Sequence, residues 1–533
     1  MRDAPSTHCP PGKHRVGTAR LLALDVGTQS ARACVFDTQG QLLVRSQVPI
    51  EPYVSPQPGW AEQDPEVWWN ALVQACTGLW TQAAVTPGQI AGLSLTTQRA
   101  TMVCLDANGA VLRPAIVWLD QRRCTAPPDL GPLWRALFGV VGATPLIAHL
   151  QAEADANWLA QHQPELWRAT AKYLFLSGYL THRLVDDYVD SVGSQVGYVP
   201  FDYQRLEWAK PADFKWKAVA VRAEQLPRLV PPGARLGALT PRAAQALGLP
   251  AGLPMIAAAA DKACEVVGCG ALEPDVAQLS FGTTATVNTT QTRYFEVQRM
   301  LPAYPAAAPN AWNTEIQIFR GFWMVSWFKR EFGQREIALA AERGVAVESL
   351  FDELVNSVPA GSMGLTLQPY WSPGVRDPGP EAKGSIIGFG DVHTRAHLYR
   401  AILEGLVYGL RAGAEQIERR TARKIRRLVV GGGGSQSDAA MQITADIFGL
   451  AAERPEVYET SALGAAINLA VGLGLHPDYA AAVRAMTRVG RRFVPEPGAQ
   501  AIYLRLYREV YRDLYPRLQP LYRRIRDITG YPV

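Results

Sequence analysis

The strongest constraint in this chain is a repeated local pattern: an apolar strand, a Gly-Thr turn and a second apolar strand. The turns are Gly27-Thr28 and Gly282-Thr283. The apolar runs around them cover residues 21–25, 31–36, 277–281 and 285–290. A further run at residues 41–44 extends the first copy into an antiparallel meander. Two copies of one unit indicate a weak internal duplication.

The duplication predicts how the chain is divided. Helix and strand patterns follow both copies, which favours two α/β domains with a cleft between them. We expect residues 19–272 to form the first domain and residues 273–533 the second. Residues 1–18 are polar and rich in Pro and Gly, so we expect a flexible tail there and not a signal peptide.

Periodicity and capping residues predict the elements that surround these turns. Asp64 and Pro65 mark the start of a helix over residues 65–80. We also expect helices over residues 171–184, 396–421, 438–448 and 461–471, and strands over residues 90–95, 254–260 and 427–430.

Composition excludes several classes of protein. Of the 533 residues, 48% are hydrophobic and 19% charged, which is typical of a globular protein and not of a disordered or fibrous one. A net charge of +5 does not indicate a nucleic-acid binder. Seven cysteines without a CxxC pair indicate a reduced protein, and no apolar run is long enough to span a membrane. We therefore expect a cytoplasmic protein, with a homodimer among the open oligomeric states.

The first Gly-Thr turn has the residues of a phosphate-binding loop. Asp25 ends a buried strand, and Gly27, Thr28 and Ser30 follow it. Glycine permits close approach of the backbone, while N–H and hydroxyl groups can surround phosphate oxygens. An aspartate in this position can hold Mg²⁺ through water. An ordinary turn would look the same, but the second copy at Gly282 favours two loops that hold one polyphosphate.

Four glycines follow the predicted strand at residues 427–430, and a helix follows them. Such a loop favours a nucleotide at a helix N-terminus, with a plain loop as the alternative. The pattern does not fit the dinucleotide fingerprint GxGxxG, because the sixth residue from Gly431 is Gln436. The Walker A motif is absent from the sequence.

Polar residues that suit a sugar or polyol also follow predicted strands. Asp261 follows the strand at residues 254–260, where a carboxylate can act as a general base or as a helix cap. Arg99 offers several hydrogen-bond donors, and Trp118 offers a flat wall. Surface charge and core packing are the alternatives for these two side chains.

In their order along the chain, these motifs resemble the FGGY family of carbohydrate kinases over roughly residues 20–515. Residues 384–404 are similar to the second family signature, and residues 430–442 fit its glycine-rich stretch. Residues 97–102, 115–122 and 453–466 are most similar to glycerol kinases, whereas residues 361–376 also resemble xylulokinases and other pentulose kinases.

The resemblance implies an actin- and hexokinase-type fold, with two ribonuclease-H-like domains around an ATP cleft. It implies ATP and Mg²⁺ as the cofactors, with Asp25 serving the metal. It places the following residues at the nucleotide: Thr28, Ser30, Arg32, Gly282, Thr283, Gly432 and Gly433. It places Arg99, Trp118, Asp261 and Lys262 at the acceptor substrate, with Asp261 as the catalytic base.

The chain departs from the family at the acceptor side. The usual Gly-Asp-Gln around the base is Ala260-Asp261-Lys262, and the Arg-Glu pair of glycerol kinases is Arg99-Ala100. Leu150 stands where an aromatic residue is usual, and Asp155 where a lysine is common. We therefore expect a pentulose or a tetritol to be a better acceptor than glycerol.

Three functions remain to be compared. The first is an ATP-dependent kinase that transfers the γ-phosphoryl group to a small sugar or polyol. The second is a non-catalytic ATP-binding switch or scaffold on the same fold, which the lysine beside the predicted base keeps open. An oxidoreductase is a distant third, because no dinucleotide fingerprint is present.

Overall fold

The computed structural model describes residues 19–374 and 376–531. The tail predicted for residues 1–18 lies outside the described residues. No helix in the described ranges combines the length and the apolar character that crossing a membrane requires.

The described chain alternates strands and helices throughout. The strands are β1 Arg20–Val26, β2 Ser30–Phe36, β3 Leu42–Pro49, β4 Glu62–Gln63, β5 Ile90–Thr97, β6 Met102–Leu105, β7 Ala115–Ile116, β8 Lys172–Phe175, β9 Val189–Ser191, β10 Phe201–Asp202, β11 Glu207–Trp208, β12 Arg228–Val230, β13 Arg235–Ala238, β14 Pro254–Ala257, β15 Val276–Phe281, β16 Ala285–Gln291, β17 Tyr304–Pro305, β18 Trp312–Ile318, β19 Thr366–Gln368, β20 Ser385–Ile387, β21 Arg427–Gly431, β22 Ala452–Pro455 and β23 Val489–Phe493. The α-helices are α1 Pro65–Trp80, α2 Pro132–Val140, α3 Thr144–Glu153, α4 Asp155–His162, α5 Pro164–Ala169, α6 Leu176–Val185, α7 Lys215–Ala218, α8 Pro241–Leu247, α9 Asp261–Gly268, α10 Trp323–Phe332, α11 Gln334–Arg343, α12 Val347–Asn356, α13 Arg395–Thr421, α14 Asp438–Phe448, α15 Thr460–Gly472, α16 Tyr479–Met486, α17 Pro497–Leu506 and α18 Arg512–Thr529.

Two large sheets carry the same core arrangement. In the first, β1, β2 and β3 form the predicted antiparallel meander, and β5 and β14 run parallel to β1 on its other side. In the second, β15, β16 and β18 form the meander, and β21 and β22 run parallel to β15. The repeat predicted from the two Gly-Thr turns is thus present in both sheets, and the α/β fold class is confirmed.

Most predicted elements agree with the structure, and one does not. Helix α1 begins at Pro65, and the Asp64 carboxylate accepts a hydrogen bond of 3.0 Å from the Glu66 N–H as its cap. The helix predicted over residues 171–184 is wrong in its first part, because Lys172–Phe175 is strand β8 and the helix starts at Leu176. This segment pairs with β6, a partner about 70 residues away that local periodicity does not reveal.

Helix α15 returns from the second half of the chain to cover the first sheet. Its buried Leu463, Ile467 and Leu469 share one apolar cluster with side chains of β1 and α9. The approach to α9 is very close, because a Cβ atom added to Gly464 would lie 1.9 Å from the Cys264 carbonyl oxygen. The helix that begins at Asp261 is therefore held in place by a segment some 200 residues further along the chain.

Candidate active site

Three parallel strands of the first sheet end side by side. Strands β1, β5 and β14 run in the same direction, so the residues at and after their carboxyl ends meet at one edge. These residues are Asp25 on β1, Gln98 and Arg99 after β5, and Asp261 at the start of α9. In open α/β sheets this edge is where ligands bind.

Asp25 is buried and paired with one cation. Its Oδ2 atom accepts a hydrogen bond of 3.1 Å from Arg32 Nη1, and Arg32 also lies near Glu459, with Nε 3.7 Å from Glu459 Oε2. Burial raises the pKa of Asp25 to about 6; Arg32 opposes this, whereas Asp261 and Glu459 add to it. The Asp25 carboxylate therefore lies near those of Asp261 and Glu459, and a bound cation would stabilise these negative charges.

The first Gly-Thr turn is connected to the predicted acceptor residues. Trp118 Nε1 donates to the Thr28 hydroxyl at 3.0 Å, and that hydroxyl donates to Gln98 Oε1 at 2.9 Å. The Thr28 side chain is therefore held by two partners, and Trp118 lies against the loop with its ring exposed. The turn itself is closed by the Gly27 N–H, which donates to the Ser30 carbonyl oxygen at 3.0 Å.

Asp261 is the first residue of α9 and has no lysine or arginine in salt-bridge contact among the described residues. Its Oδ1 atom accepts a hydrogen bond of 2.7 Å from the Lys262 backbone N–H. Burial raises the pKa of Asp261, and Arg99 and Lys262 counteract this in part. A carboxylate with a raised pKa at a ligand-binding edge has the properties of a general base.

The Lys262 ammonium group makes no salt bridge to Asp261 among the described residues and contacts Glu265 and Ser280 instead. It lies 3.1 Å from Glu265 Oε2 and donates to the Ser280 hydroxyl at 2.6 Å, and Ser280 in turn donates to Glu265 at 2.8 Å. Because Ser280 belongs to β15, this cluster joins the two sheets. The ammonium also lies next to Gly282, at 3.5 Å from where a Cβ atom would stand.

Arg99 is held by residues of the second sheet. Its two terminal nitrogens lie 3.1 and 3.4 Å from the carboxylate oxygens of Glu315 on β18. The Tyr304 ring on β17 lies under the guanidinium, with 5.2 Å between the guanidinium carbon and the ring centroid. The acceptor side of the site thus includes side chains from both halves of the chain.

The second Gly-Thr turn and the glycine run also meet at one edge. Strands β15 and β21 are parallel neighbours in which Ser280 pairs with Gly431, so both loops start at the same level of the sheet. A Cβ atom on Gly432 would lie 2.9 Å from the Phe281 backbone, whereas one on Gly433 would meet nothing within 4 Å. The backbone near Gly433 is therefore open to a ligand.

The structure places the predicted site residues around these two edges. At the first sheet these are Asp25, Thr28, Ser30, Arg32, Arg99, Asp261 and Lys262, and at the second Gly282, Thr283, Gly432 and Gly433. Trp118 follows β7 of a smaller sheet and reaches the first edge through its contact with Thr28. Sequence reasoning missed Glu265, Ser280, Glu315 and Glu459. Glu265 follows Lys262 by three residues on α9, a helical spacing that could have revealed the pair. Glu315 and Glu459 have no such local signal.

No group of three or more His, Cys, Asp or Glu residues in the described ranges could hold a metal ion unaided. The donor set around Asp25 is its own carboxylate, with those of Asp261 and Glu459 near enough to raise its pKa. Mg²⁺ usually binds to proteins through one or two carboxylates, several waters and the phosphates of its substrate. The residues present fit a metal that arrives with a nucleotide, not a permanent metal site.

Comparison with known proteins gives a consistent result. The family model described as the N-terminal domain of the FGGY family of carbohydrate kinases matches residues 20–268, and the model of the C-terminal domain matches residues 277–473. An uncharacterized sugar kinase of Escherichia coli, YgcE, is 30% identical over 89% of both chains. The xylulose kinase of Lactococcus lactis is 28% identical over 91% of this chain and 95% of its own.

A solved structure shows the same fold over nearly the whole chain. The crystal structure of a xylulose kinase from Rhodospirillum rubrum aligns with a TM-score of 0.75 and 26% identity, covering 95% of this chain and 100% of that one. The two-domain fold predicted around a cleft is confirmed by this likeness.

Proposed function

The chain belongs to the FGGY family of carbohydrate kinases, and from this premise we propose that its acceptor is a pentulose such as xylulose or ribulose, with a tetritol as the next candidate. The membership makes it an ATP-dependent phosphotransferase that acts on an alcohol group. The similarity to two xylulose kinases supports the pentulose. The observation that carries the proposal is Asp261 itself, a buried carboxylate at the carboxyl edge of the first sheet that is electrostatically coupled to Arg99 and to Asp25.

In the proposed reaction, Asp261 accepts the proton of the acceptor hydroxyl as that oxygen attacks the γ-phosphorus of ATP. The bond from the γ-phosphorus to the bridging oxygen breaks, and ADP leaves. Burial raises the pKa of Asp261, so its carboxylate is a stronger base than an exposed one. Arg99 and Trp118 would hold the acceptor by hydrogen bonds and by contact with the indole ring.

The two loops would hold the phosphates from opposite sides. Thr28, Ser30 and Arg32 would contact them from the first sheet, and Gly282, Thr283, Gly432 and Gly433 from the second. Asp25 would hold Mg²⁺ through water, and when bound this ion would neutralise phosphate charge. Positioning and charge stabilisation provide most of the catalysis in phosphoryl transfer, which suits a site formed largely of backbone and hydroxyl groups.

The acceptor residues also suggest why glycerol would be a poorer substrate. Ala100 offers no side-chain acceptor, and its backbone is left-handed, with φ of 53°. A short substrate needs several hydrogen bonds, and each unmet buried group costs about 1–3 kcal/mol. A longer acceptor can reach other partners. We place the reaction in the cytoplasm, where ATP is available, and assign acceptor binding to residues 19–272 and nucleotide binding to residues 273–533.

The non-catalytic alternative is not favoured. It depended on Lys262, whose charge could disable the base beside it. The Lys262 ammonium contacts Glu265 and Ser280, and only its backbone N–H contacts Asp261. The proton-accepting carboxylate therefore keeps its second oxygen free of any hydrogen bond among the described residues.

The test is ADP release with a panel of acceptors at one MgATP concentration. We expect ADP formation that depends on the acceptor, with D-xylulose or D-ribulose first, a tetritol such as erythritol next and glycerol last. Mass spectrometry verifies that the acceptor has been phosphorylated. ADP formation at the same rate with and without every acceptor would contradict the proposal and restore the non-catalytic alternative.

A further inference from the structure

The ion pair between Arg99 and Glu315 joins the two halves of the chain at the acceptor side. Both terminal nitrogens of Arg99 face the two carboxylate oxygens, at 3.1 and 3.4 Å. The Glu315 side chain is 3% exposed, and that of Arg99 is 18% exposed. A bidentate pair with this much burial has a definite geometry and little screening by salt.

Strand β18, which carries Glu315, is held by a neighbouring strand and by a contact with the first half of the chain. Strand β18 pairs along its length with β16, where Glu315 lies opposite Asn288. At the start of β18, Trp312 Nε1 donates to the Tyr203 carbonyl oxygen of the first half at 2.7 Å. The backbone that carries Glu315 is therefore fixed by pairing within the second sheet, and the same strand contacts the first half of the chain.

The charges of the acceptor side are nearly balanced by such pairs. Glu315 compensates Arg99, and Glu265 compensates Lys262. Asp261 remains, without a salt bridge to any described residue. Two cations on this side therefore face three carboxylates, and an acceptor bound beside Asp261 meets a net negative charge.

We infer that Glu315 determines acceptor specificity: by neutralising Arg99, it restricts the acceptor to an uncharged polyol or ketose and excludes a sugar acid. Arg99 has five N–H donors, of which the pair uses two, so three remain for hydroxyl groups. A carboxylate on the acceptor would need a free cation, and Asp261 would repel it. This inference rests on the proposed function, because it assigns the specificity of the same site.

The test compares neutral and acidic acceptors in the wild type and in three variants. The probes are D-xylulose and erythritol as neutral acceptors, and D-xylonate and D-gluconate as acids, each at one MgATP concentration. Glu315→Gln keeps the shape and removes the charge, and Glu315→Asp keeps the charge. Glu453→Gln is the control, because Glu453 also pairs with an arginine, Arg427, but lies towards the opposite edge of the second sheet; its side chain is 13% exposed.

We expect the wild type to prefer neutral acceptors in kcat/KM. In Glu315→Gln the ratio of neutral to acidic kcat/KM should fall about tenfold or more, mainly through KM, because Arg99 becomes a free cation. Glu315→Asp and Glu453→Gln should keep the wild-type ratio. Thermal unfolding of each variant verifies that it is folded.

Two results would overturn the inference while leaving the kinase function intact. One is a wild type that phosphorylates the sugar acids best. The other is a Glu315→Gln variant, folded or partly unfolded, that loses neutral and acidic turnover by the same factor, since a purely structural role changes the amount of active enzyme and not the ratio. Failure of the proposed function looks different, because no acceptor would then stimulate ADP release.

Discussion

At the scale of single residues, Asp261 has the most specific of the proposed roles. We predict that Asp261→Asn lowers kcat by ~10²–10⁴, because the amide cannot accept the hydroxyl proton. The KM for MgATP should change little, since Asp261 is not among the proposed phosphate contacts. Steady-state kinetics with a saturating pentulose checks both values. Asp64→Asn is the control, because Asp64 is a helix cap and asparagine caps a helix equally well.

The pH dependence gives a second measure of the same residue. The base must be ionised to accept a proton, and burial raises its pKa above the ordinary 3.8. Wild-type kcat/KM should therefore decrease on acidification at a higher pH than an exposed aspartate would produce. The Asn variant should lose the part of this decrease that belongs to Asp261 and keep the part that belongs to Asp25, whose pKa burial raises to about 6. A variant with normal turnover and an unchanged pH profile would show that Asp261 is not the base and only occupies the first position of α9.

Ala100 is the residue with which acceptor size can be tested. We predict that the wild type has a higher kcat/KM for D-xylulose than for glycerol, and that Ala100→Glu shifts the ratio towards glycerol by supplying the missing carboxylate. A non-glycine residue with φ of 53° is strained by about 1 kcal/mol whatever its side chain. Ala100→Gln is therefore the control for size and strain. If glycerol is the best acceptor of the wild type, the argument from Ala100 is wrong.

Local sequence predicts a site residue when that residue directly follows a recognisable element. Asp25 and Asp261 follow buried apolar strands, and parallel strands necessarily bring such ends together. Glu315 lies within a strand, and its partner Arg99 is 216 residues away. Only the packing of the two sheets brings this pair together, so no spacing in the sequence could indicate it.

At the scale of elements, the glycine run after β21 contains one position at which ligand binding can be tested and another at which folding can be tested. We predict that Gly433→Val leaves the fold intact but weakens MgADP binding, because a Cβ atom there meets no protein atom within 4 Å and the valine would occupy space open to the nucleotide. Calorimetric titration with MgADP checks the affinity, and circular dichroism checks the fold. Gly88→Val, also free of neighbours within 4 Å, should bind MgADP normally.

Gly432→Val provides the contrast within the same loop. Its φ of +79° and the Phe281 backbone 2.9 Å from a Cβ atom leave no room, so this variant should unfold at a clearly lower temperature than Gly433→Val. Equal MgADP affinity of Gly433→Val and the wild type would show that the nucleotide does not approach this loop.

Elements are predictable from the sequence where their pattern is local. Helix α1 has a cap, a first-turn proline and an apolar face within 16 residues, and its bounds agree with the prediction. Strand β8 is only four residues long and depends on pairing with β6, so its apolar residues were assigned to the following helix. The close packing of α15 on α9 depends on Gly464, whose role becomes visible only when the two helices meet.

At the scale of the whole molecule, the two halves are alike in topology but not independent. The match to the N-terminal family model ends at residue 268, and the match to the C-terminal model begins at residue 277. Yet α15 belongs in sequence to the second half and covers β1 and β5 of the first sheet. If the two halves move about a hinge, α15 would therefore move with the first sheet. Such a domain closure would exclude water from the phosphoryl group during transfer.

This packing predicts how the chain tolerates being cut. Leu463, Ile467 and Leu469 of α15 are all at most 1% exposed, and burying such a side chain contributes roughly 1.5–3 kcal/mol. Their combined loss approaches the whole stability of a domain, about 5–15 kcal/mol. We therefore expect a fragment of residues 19–272 to aggregate or to bind an apolar dye strongly.

The same fragment with residues 456–490 attached through a flexible linker should be monomeric and unfold cooperatively, as judged by gel filtration and thermal denaturation. Attachment of residues 497–529, whose helices pack on the second half, is the control and should not rescue it. A fragment of residues 19–272 that folds unaided would show that the first domain is complete at residue 272 and that α15 is dispensable to it.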